Sequence, residues 1–362
     1  MSNEAFQQQS LQGVSRTFAL TIPRLPPSLC RSIGNGYLLC RIADTIEDEP
    51  SLTAEQKHEF FQKFIDVVAG KQSAFTFSRA LYPRLSDSML PAERQLVFDT
   101  EKVIQITHSL PQTQQAILLR CVKIMSNGMS EFQFLWEKLR QSQQGLSTLT
   151  QMNDYCYYVA GVVGEMVTDL FCDYSPAINQ HRQSLRTLAL SFGQGLQMTN
   201  ILKDIWDDQA RGACWLPSEE FAKVGFDLRT LNPNNYQPAF GEGLSQLIGV
   251  AHHHLHNTLR YICLLPSKEV EIRCFCLWTM AMSLLTLKKL QKHLDFKDGQ
   301  QVKISRRSVK LSYLVSRTAA RSNLALKILF YLTSYPLKEV TVEPLTPPQQ
   351  VALWELPEYR LI

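Results

Sequence analysis

Residues 37–48 run Tyr37-Leu38-Leu39-Cys40-Arg41-Ile42-Ala43-Asp44-Thr45-Ile46-Glu47-Asp48, immediately downstream of a Pro26-Pro27 stop. Ser28 can cap a helix from that stop to about Glu47. On it Tyr37, Arg41, Asp44 and Asp48 fall at i, i+4, i+7 and i+11, one face of an α-helix, with Glu47 alongside. Acids crowded on one stripe repel each other unless a positive charge sits between them, and a divalent cation would supply it.

The pattern returns about 160 residues later. Gln197, Asn200, Asp204 and Asp208 fall at i, i+3, i+7 and i+11, with Lys203 and Asp207 alongside. Leu196, Ile201, Leu202, Ile205 and Trp206 surround them, so this helix is expected to pack by one side and present oxygen ligands on the other. Asp, Glu and Asn oxygens suit Mg²⁺, which keeps several waters and is completed by substrate phosphates. One such cluster alone reads as a solvated helix face. Two matched clusters, each with a basic residue a turn or less before its first Asp, read as a metal-diphosphate site built from Asp44, Glu47, Asp48, Asn200, Asp204, Asp207 and Asp208.

Around these clusters the chain has an ordinary globular composition: 362 residues, 45% apolar and 19% charged, with net charge +4. No run of five Lys or Arg offers a nucleic-acid stripe, so no nucleic-acid partner is expected. Nine scattered cysteines without a C-x-x-C pair read as reduced thiols of a cytoplasmic protein. The N-terminus lacks a basic end followed by an apolar stretch, and the longest apolar run, Phe275 to Leu287, is too short to cross a bilayer.

No proline stands between Pro111 and Pro176, where apolar residues recur at three and four, as in Tyr155, Tyr158, Val159, Val162 and Val163. Strand-like alternation is scarce. Loops are expected at 87–91, 231–243, 295–305 and 335–350. The expected architecture is one all-α domain over residues 1–362, with a C-terminal tail from about 335. His252, His253, His254 and His256 lack the H-E-x-x-H acid and read as an exposed helix face. Cys274 and Cys276 read as small core residues. Gly161 and Gly164 inside a helix point to close approach by a substrate chain or a neighbouring helix.

Four segments together resemble the head-to-head prenyl synthases of the squalene and phytoene synthase type. They are Ser15-Arg16-Thr17-Phe18, Tyr37 through Asp48, Tyr155-Cys156-Tyr157-Tyr158-Val159-Ala160-Gly161-Val162-Val163-Gly164, and Gln197 through Asp208. Their order and spacing match along roughly residues 15–290. The resemblance implies an all-helical prenyl-synthase bundle with a central cavity, acid motifs on opposite walls, and two farnesyl diphosphates as substrates. It implies that Asp44, Asp48, Asp204 and Asp208 hold Mg²⁺ on the diphosphates, assisted by Asn200 and Gln197. Arg16, Arg41 and Lys203 take diphosphate charge, and Tyr155 accepts a proton. Ser15 belongs to the same substrate segment, and Val159 and Gly164 lie along the prenyl tail.

The chemistry so implied is condensation to presqualene diphosphate, then NADPH-dependent reductive rearrangement to squalene. Each carbocation on the way must be kept from water by an apolar cavity with aromatic walls, for which Phe18, Tyr37, Tyr155 and Phe275 are candidates. Spacing alone fits plain core for Tyr155 and Phe275 equally well. Arg211 stands where relatives carry a further diphosphate Arg, and Lys303 and Arg306 stand where they carry a basic segment by the cofactor. No Gly-rich dinucleotide turn is present, so NADPH rests on the resemblance.

Eukaryotic relatives end in a membrane anchor that is not expected here, and an oily C30 product favours peripheral association with a membrane surface. A monomer is expected. A phytoene or dehydrosqualene synthase, a presqualene diphosphate synthase, and a helical assembly factor without catalysis remain the other readings.

Overall fold

A computed structural model describes residues 2–15, 18–142, 145–305, 315–338 and 340–355. Arg16 and Arg306 therefore lie outside the described residues. Among those described there is no β-strand, only an isolated bridge between Leu146 and Pro217, so the all-α expectation holds.

The chain forms two compact units. The first comprises Met1–Leu135 with Glu165–Arg182, the second Trp136–Gly164 with Gln183–Ile362. The first is organised on the Pro27–Asp48 helix, whose Leu38, Leu39, Ile42, Ala43 and Ile46 are fully buried. Pro27 itself occupies the first helical position after Pro26, and no side chain caps that end. Ser28 is thus inside the helix instead of capping it.

The proline-free window carries the Gln112–Ser142, Leu149–Cys156 and Val162–Tyr174 helices. Between the last two the backbone widens into a π turn over Tyr157–Gly161, where the Val162 N–H donates to the Tyr157 carbonyl. Such turns insert one residue into a helix and are frequent at functional sites.

In the second unit the Pro238–Leu264 and Val270–Lys292 helices form the core. The Val270–Lys292 helix is long and apolar enough to cross a membrane, but 72% of that apolar stretch is buried inside the protein, which marks a core helix. Phe275, Cys274 and Cys276 are buried on it.

The histidine run departs from expectation. His252 and His254 are buried on the Pro238–Leu264 helix, and neither His253 nor His256 is fully exposed. His252 Nδ1 lies 3.0 Å from the Lys338 carbonyl, and His254 Nδ1 lies 3.2 Å from Ser191 Oγ, so each buried ring has a hydrogen-bond partner in the core. Burial, with His253 beside it, pushes the His254 imidazole down to about 3. An unfolded histidine takes its proton near pH 6.5 and the folded one does not, so stability present above that pH drains away as the solution is acidified toward pH 3. The expected slope from this residue is about 1.4 kcal/mol per pH unit below 6.5. Urea melts at pH 7 and pH 5 should show the loss, and His254→Asn should reduce it; an equal loss in the variant would assign it elsewhere.

Among the described residues beyond Tyr335 the next helix is Gln349–Glu355, which docks back on its unit. Trp354 is buried 5.5 Å from the Tyr158 ring, whose hydroxyl donates to Gln350 Oε1 at 3.3 Å.

Candidate active site

In the first unit the acids project from the last two turns of the Pro27–Asp48 helix. Arg41 Nη1 donates to Asp44 Oδ2 at 3.2 Å, and its Nη2 pairs with Glu93, a buried acid from the first turn of the Pro91–Phe98 helix. Burial pushes the Asp44 carboxyl up to about 6; the Arg41 guanidinium opposes this, and Asp48 and Glu93 add to it. Glu47 is driven well above the carboxylate range by burial, then by Asp48 and Asp44. Its carboxylate accepts from Gln133 Nε2 at 3.5 Å, while buried Lys57 donates to the Glu47 carbonyl and, at 2.8 Å, to Gln133 Oε1. Asp48 is exposed.

The unit also gathers Ser15, Phe18 and Tyr37. Ser15 Oγ accepts from the Phe18 N–H at 3.0 Å, the Phe18 and Tyr37 rings lie 5.3 Å apart, and Tyr37 Oη donates to the Val14 carbonyl at 3.3 Å. Glu93, Lys57 and Gln133 escape sequence reasoning because each comes from a different helix with no local pattern to mark it.

In the second unit the expected continuous helix is interrupted. It runs Arg182–Lys203, breaks at Asp204 (φ −101°, ψ 15°), and resumes as Ile205–Ala210. The i to i−4 bonding carries across, since Asp204 N–H donates to Asn200 O at 2.9 Å and Asp208 N–H to Asp204 O at 2.8 Å. Asn200 and Asp207 are exposed, and Gln197, Lys203 and Asp204 half-buried. Asp208 is buried, not turned outward with the others, and accepts from Arg211 Nη2 at 2.6 Å. Lys203 Nζ stands 3.0 Å from Asp204 Oδ2. The Gly299–Val302 turn closes on this cluster, where a Cβ at Gly299 would stand 3.5 Å from Asp207 Oδ2 and 3.6 Å from Asp204 Oδ1. Just beyond it, Lys303 Nζ donates to Gln300 Oε1 at 3.2 Å.

Tyr155 is buried at the end of the Leu149–Cys156 helix, its ring flat against Trp215 at 3.9 Å and 4°, with Trp136 5.8 Å from Trp215 on a tilted plane. Trp215 was not foreseen as a ring partner. The two glycines expected to make close approaches do so against protein. A Cβ on Gly164 would stand 2.6 Å from the Ala189 carbonyl oxygen, and one on Gly161 would meet the Tyr157 side chain at 3.0 Å. Val159 is half-buried on the π turn, two residues before Gly161.

Among the described residues no three His, Cys, Asp or Glu side chains converge to cage a metal ion by themselves. The donor chemistry nevertheless fits Mg²⁺, which binds one or two carboxylates and completes its shell with water and phosphate. Burial raises the proton affinity of Asp44 and Glu47, and a bound divalent cation would favour their charged forms. For NADPH the described residues offer only Lys303, which makes no recognisable dinucleotide cradle.

The sequence profile described as squalene/phytoene synthase matches residues 11–308, well over half the chain. The chain belongs to the squalene/phytoene synthase family. Among members of that family it is 28% identical over 282 residues to the squalene synthase of Eremothecium gossypii, covering 77% of this chain and 60% of that protein. It is also 28% identical over 305 residues to the squalene synthase of Saccharomyces cerevisiae, covering 84% and 65%. This chain thus matches somewhat under two thirds of the length of these relatives. In fold it is similar to TcSQS solved with the ligand BPH1237, at TM-score 0.74 and 22% identity over 94% of each chain. It is also similar to a ligand-bound dehydrosqualene synthase, at 0.61 and 18%, covering 92% of this chain and 97% of that one.

Proposed function

We propose that this protein is a squalene synthase, a Mg²⁺-dependent prenyltransferase that joins two farnesyl diphosphates head to head and reduces the product. The observation that carries the reading is the paired construction of the acids. Asp44 and Asp48, like Asp204 and Asp208, stand one helical turn apart, and each pair has cations at hand: Arg41 for the first, Lys203 and Arg211 for the second. Mg²⁺, when bound, neutralises the charge that a diphosphate develops as it leaves. Arg41, Lys203 and Arg211 would then exchange their carboxylate partners for diphosphate oxygens, and Asn200 and Gln197 would orient them.

Ionisation leaves an allylic farnesyl cation, which the other chain's double bond attacks. Proton loss then closes a cyclopropane, and Tyr155 Oη is the acceptor assigned here. The Trp215 stack fixes the Tyr155 ring and occupies one of its faces, leaving cation stabilisation to the opposite face or the hydroxyl. Phe18 and Tyr37 supply a second aromatic surface and Phe275 a third, while Ser15, Val159 and Gly164 line the substrate. NADPH, when bound, supplies hydride for the reductive half, and Lys303 with Arg306 would take its phosphate. The protein is placed in the cytoplasm, acting as a monomer against a membrane surface that receives the apolar product.

The deciding experiment is gas chromatography with mass spectrometry after incubation with farnesyl diphosphate and Mg²⁺, with and without NADPH. Squalene only in the NADPH tube is the expected result. Dehydrosqualene or presqualene diphosphate in both tubes would move the protein to a non-reductive branch of the family, and untouched substrate would overturn the reading.

A further inference from the structure

The Asn323–Ser334 helix is apolar on both sides. Leu326 and Phe330 face inward, with Phe330 stacked 5.7 Å from His252, and the helix is keyed in place by Asn323. The Asn323 side chain accepts from the buried Arg273 guanidinium and donates to the Cys263 carbonyl at 3.1 Å. On the outer side Leu324, Ile328, Tyr331 and Leu332, with Tyr335 just past the helix end, are each more than half exposed. At 100° per residue these five fall within one arc of about 100°, a continuous apolar stripe. A soluble monomer rarely leaves such a stripe uncovered.

The charge around it names what covers it. Between Asp298 and Glu339 the sequence has eight Lys or Arg and no Asp or Glu, in a chain whose whole net charge is +4. Arg321, Lys327 and Lys338 are exposed at the stripe's ends and flank. Lys327 and Tyr331 also wall a groove of about 1090 Å³, shared with His253, His256, Asn257 and Arg260, whose lining has no carboxylate. An apolar stripe with cationic flanks, beside a groove of phosphate-binding character, matches the boundary between acyl chains and anionic headgroups.

We infer that the outer face of the Asn323–Ser334 helix docks this protein onto an anionic bilayer, with the Arg260 and Lys327 groove receiving a lipid headgroup phosphate. This rests on the membrane-surface part of the proposed function and names the surface and lipid class; it is independent of which product is made.

Flotation of the full-length protein with phosphatidylcholine vesicles, with and without phosphatidylglycerol, tests it. Binding should be about tenfold stronger with phosphatidylglycerol and fall with added salt. Leu324→Ser/Leu332→Ser should cut partitioning about tenfold or more with an unchanged circular dichroism spectrum, since both side chains touch solvent. Lys327→Ala should reduce the phosphatidylglycerol preference about fivefold. Wild type that floats with neither vesicle overturns both this inference and the membrane-surface reading. Wild type that floats while the leucine variant floats equally well overturns only the assignment of the surface. A dimer in sedimentation that the leucine variant abolishes would show a second copy on the stripe and overturn the lipid assignment.

Discussion

Asp204→Asn lowers product formation about 10³-fold while leaving the melting temperature of the unliganded protein almost unchanged. Asparagine keeps the shape of the side chain and removes the charge that a divalent ion and a leaving diphosphate require. The folded protein depends little on that charge: Asp204 is half-buried and its ion pair with Lys203 is partly solvated, a contact worth about 0–1 kcal/mol. Asp208 would be a poorer choice, because its side chain is buried while bonded to the exposed Arg211, so replacing it changes packing as well as charge. Turnover and thermal melts on the same preparation check the result. Undiminished turnover would remove the metal-diphosphate role from this cluster, and lost turnover with a much lower melting temperature would make Asp204 structural.

Gly193→Ala is expected to be strongly destabilising. Its Cβ would stand 2.4 Å from the Ala160 carbonyl oxygen, 2.5 Å from the Ala160 carbonyl carbon and 2.6 Å from the Gly161 nitrogen. All three are backbone atoms of the π turn, so no rotamer change relieves the clash and the two segments must separate. The cost is about 3 kcal/mol, at the upper end for overpacking, or a fall in melting temperature of roughly 6 °C or more. Because the displaced segment also carries Tyr155 and Val159, turnover of the surviving folded fraction should drop as well. Gly225→Ala is the control for glycine conformation alone, since Gly225 has φ +76° and nothing within 4 Å of an added Cβ. Melting curves that rank Gly225→Ala as the worse of the two would refute the packing argument.

The parts of this protein that were legible in its sequence are those written in local spacing. Carboxylates one turn apart on the Pro27–Asp48 helix, the long helices in the proline-free window, and the absence of strands among the described residues all follow from periodicity. The break at Asp204 does not, because no Pro or Gly marks it; the following turn is engaged elsewhere, with Trp206 Nε1 donating to the Phe296 carbonyl at 2.7 Å. Asp208 turns inward for a similar reason, Arg211 one turn later giving it a partner that spacing alone did not rank above a metal. The histidines depart from the expected exposed face because a polar side chain with a hydrogen-bond partner can be buried. His252 and His254 sit among Val250, Ala251 and Leu255, and an imidazole with a carbonyl or hydroxyl within hydrogen-bond reach is tolerated there. Glu93 and Trp215 needed the tertiary structure itself, since the first is brought to Arg41 from 52 residues away and the second to Tyr155 from another segment.

The π turn at Tyr157–Gly161 makes the length of this segment adjustable. A π turn holds one residue more than the α-helix it interrupts, so deleting a single residue within 157–161 would let the Leu149–Cys156 and Val162–Tyr174 helices fuse into one regular rod. The wide turn absorbs its extra residue locally, so after such a deletion the two flanking helices would keep their phase, with Tyr155 still against Trp215 and Gly164 still against Ala189. What would change is the backbone of the turn itself, where Ala160 and Gly161 meet Gly193. Descent within this fold can therefore remove the wide turn at the cost of that one local contact, leaving the faces of both helices in place.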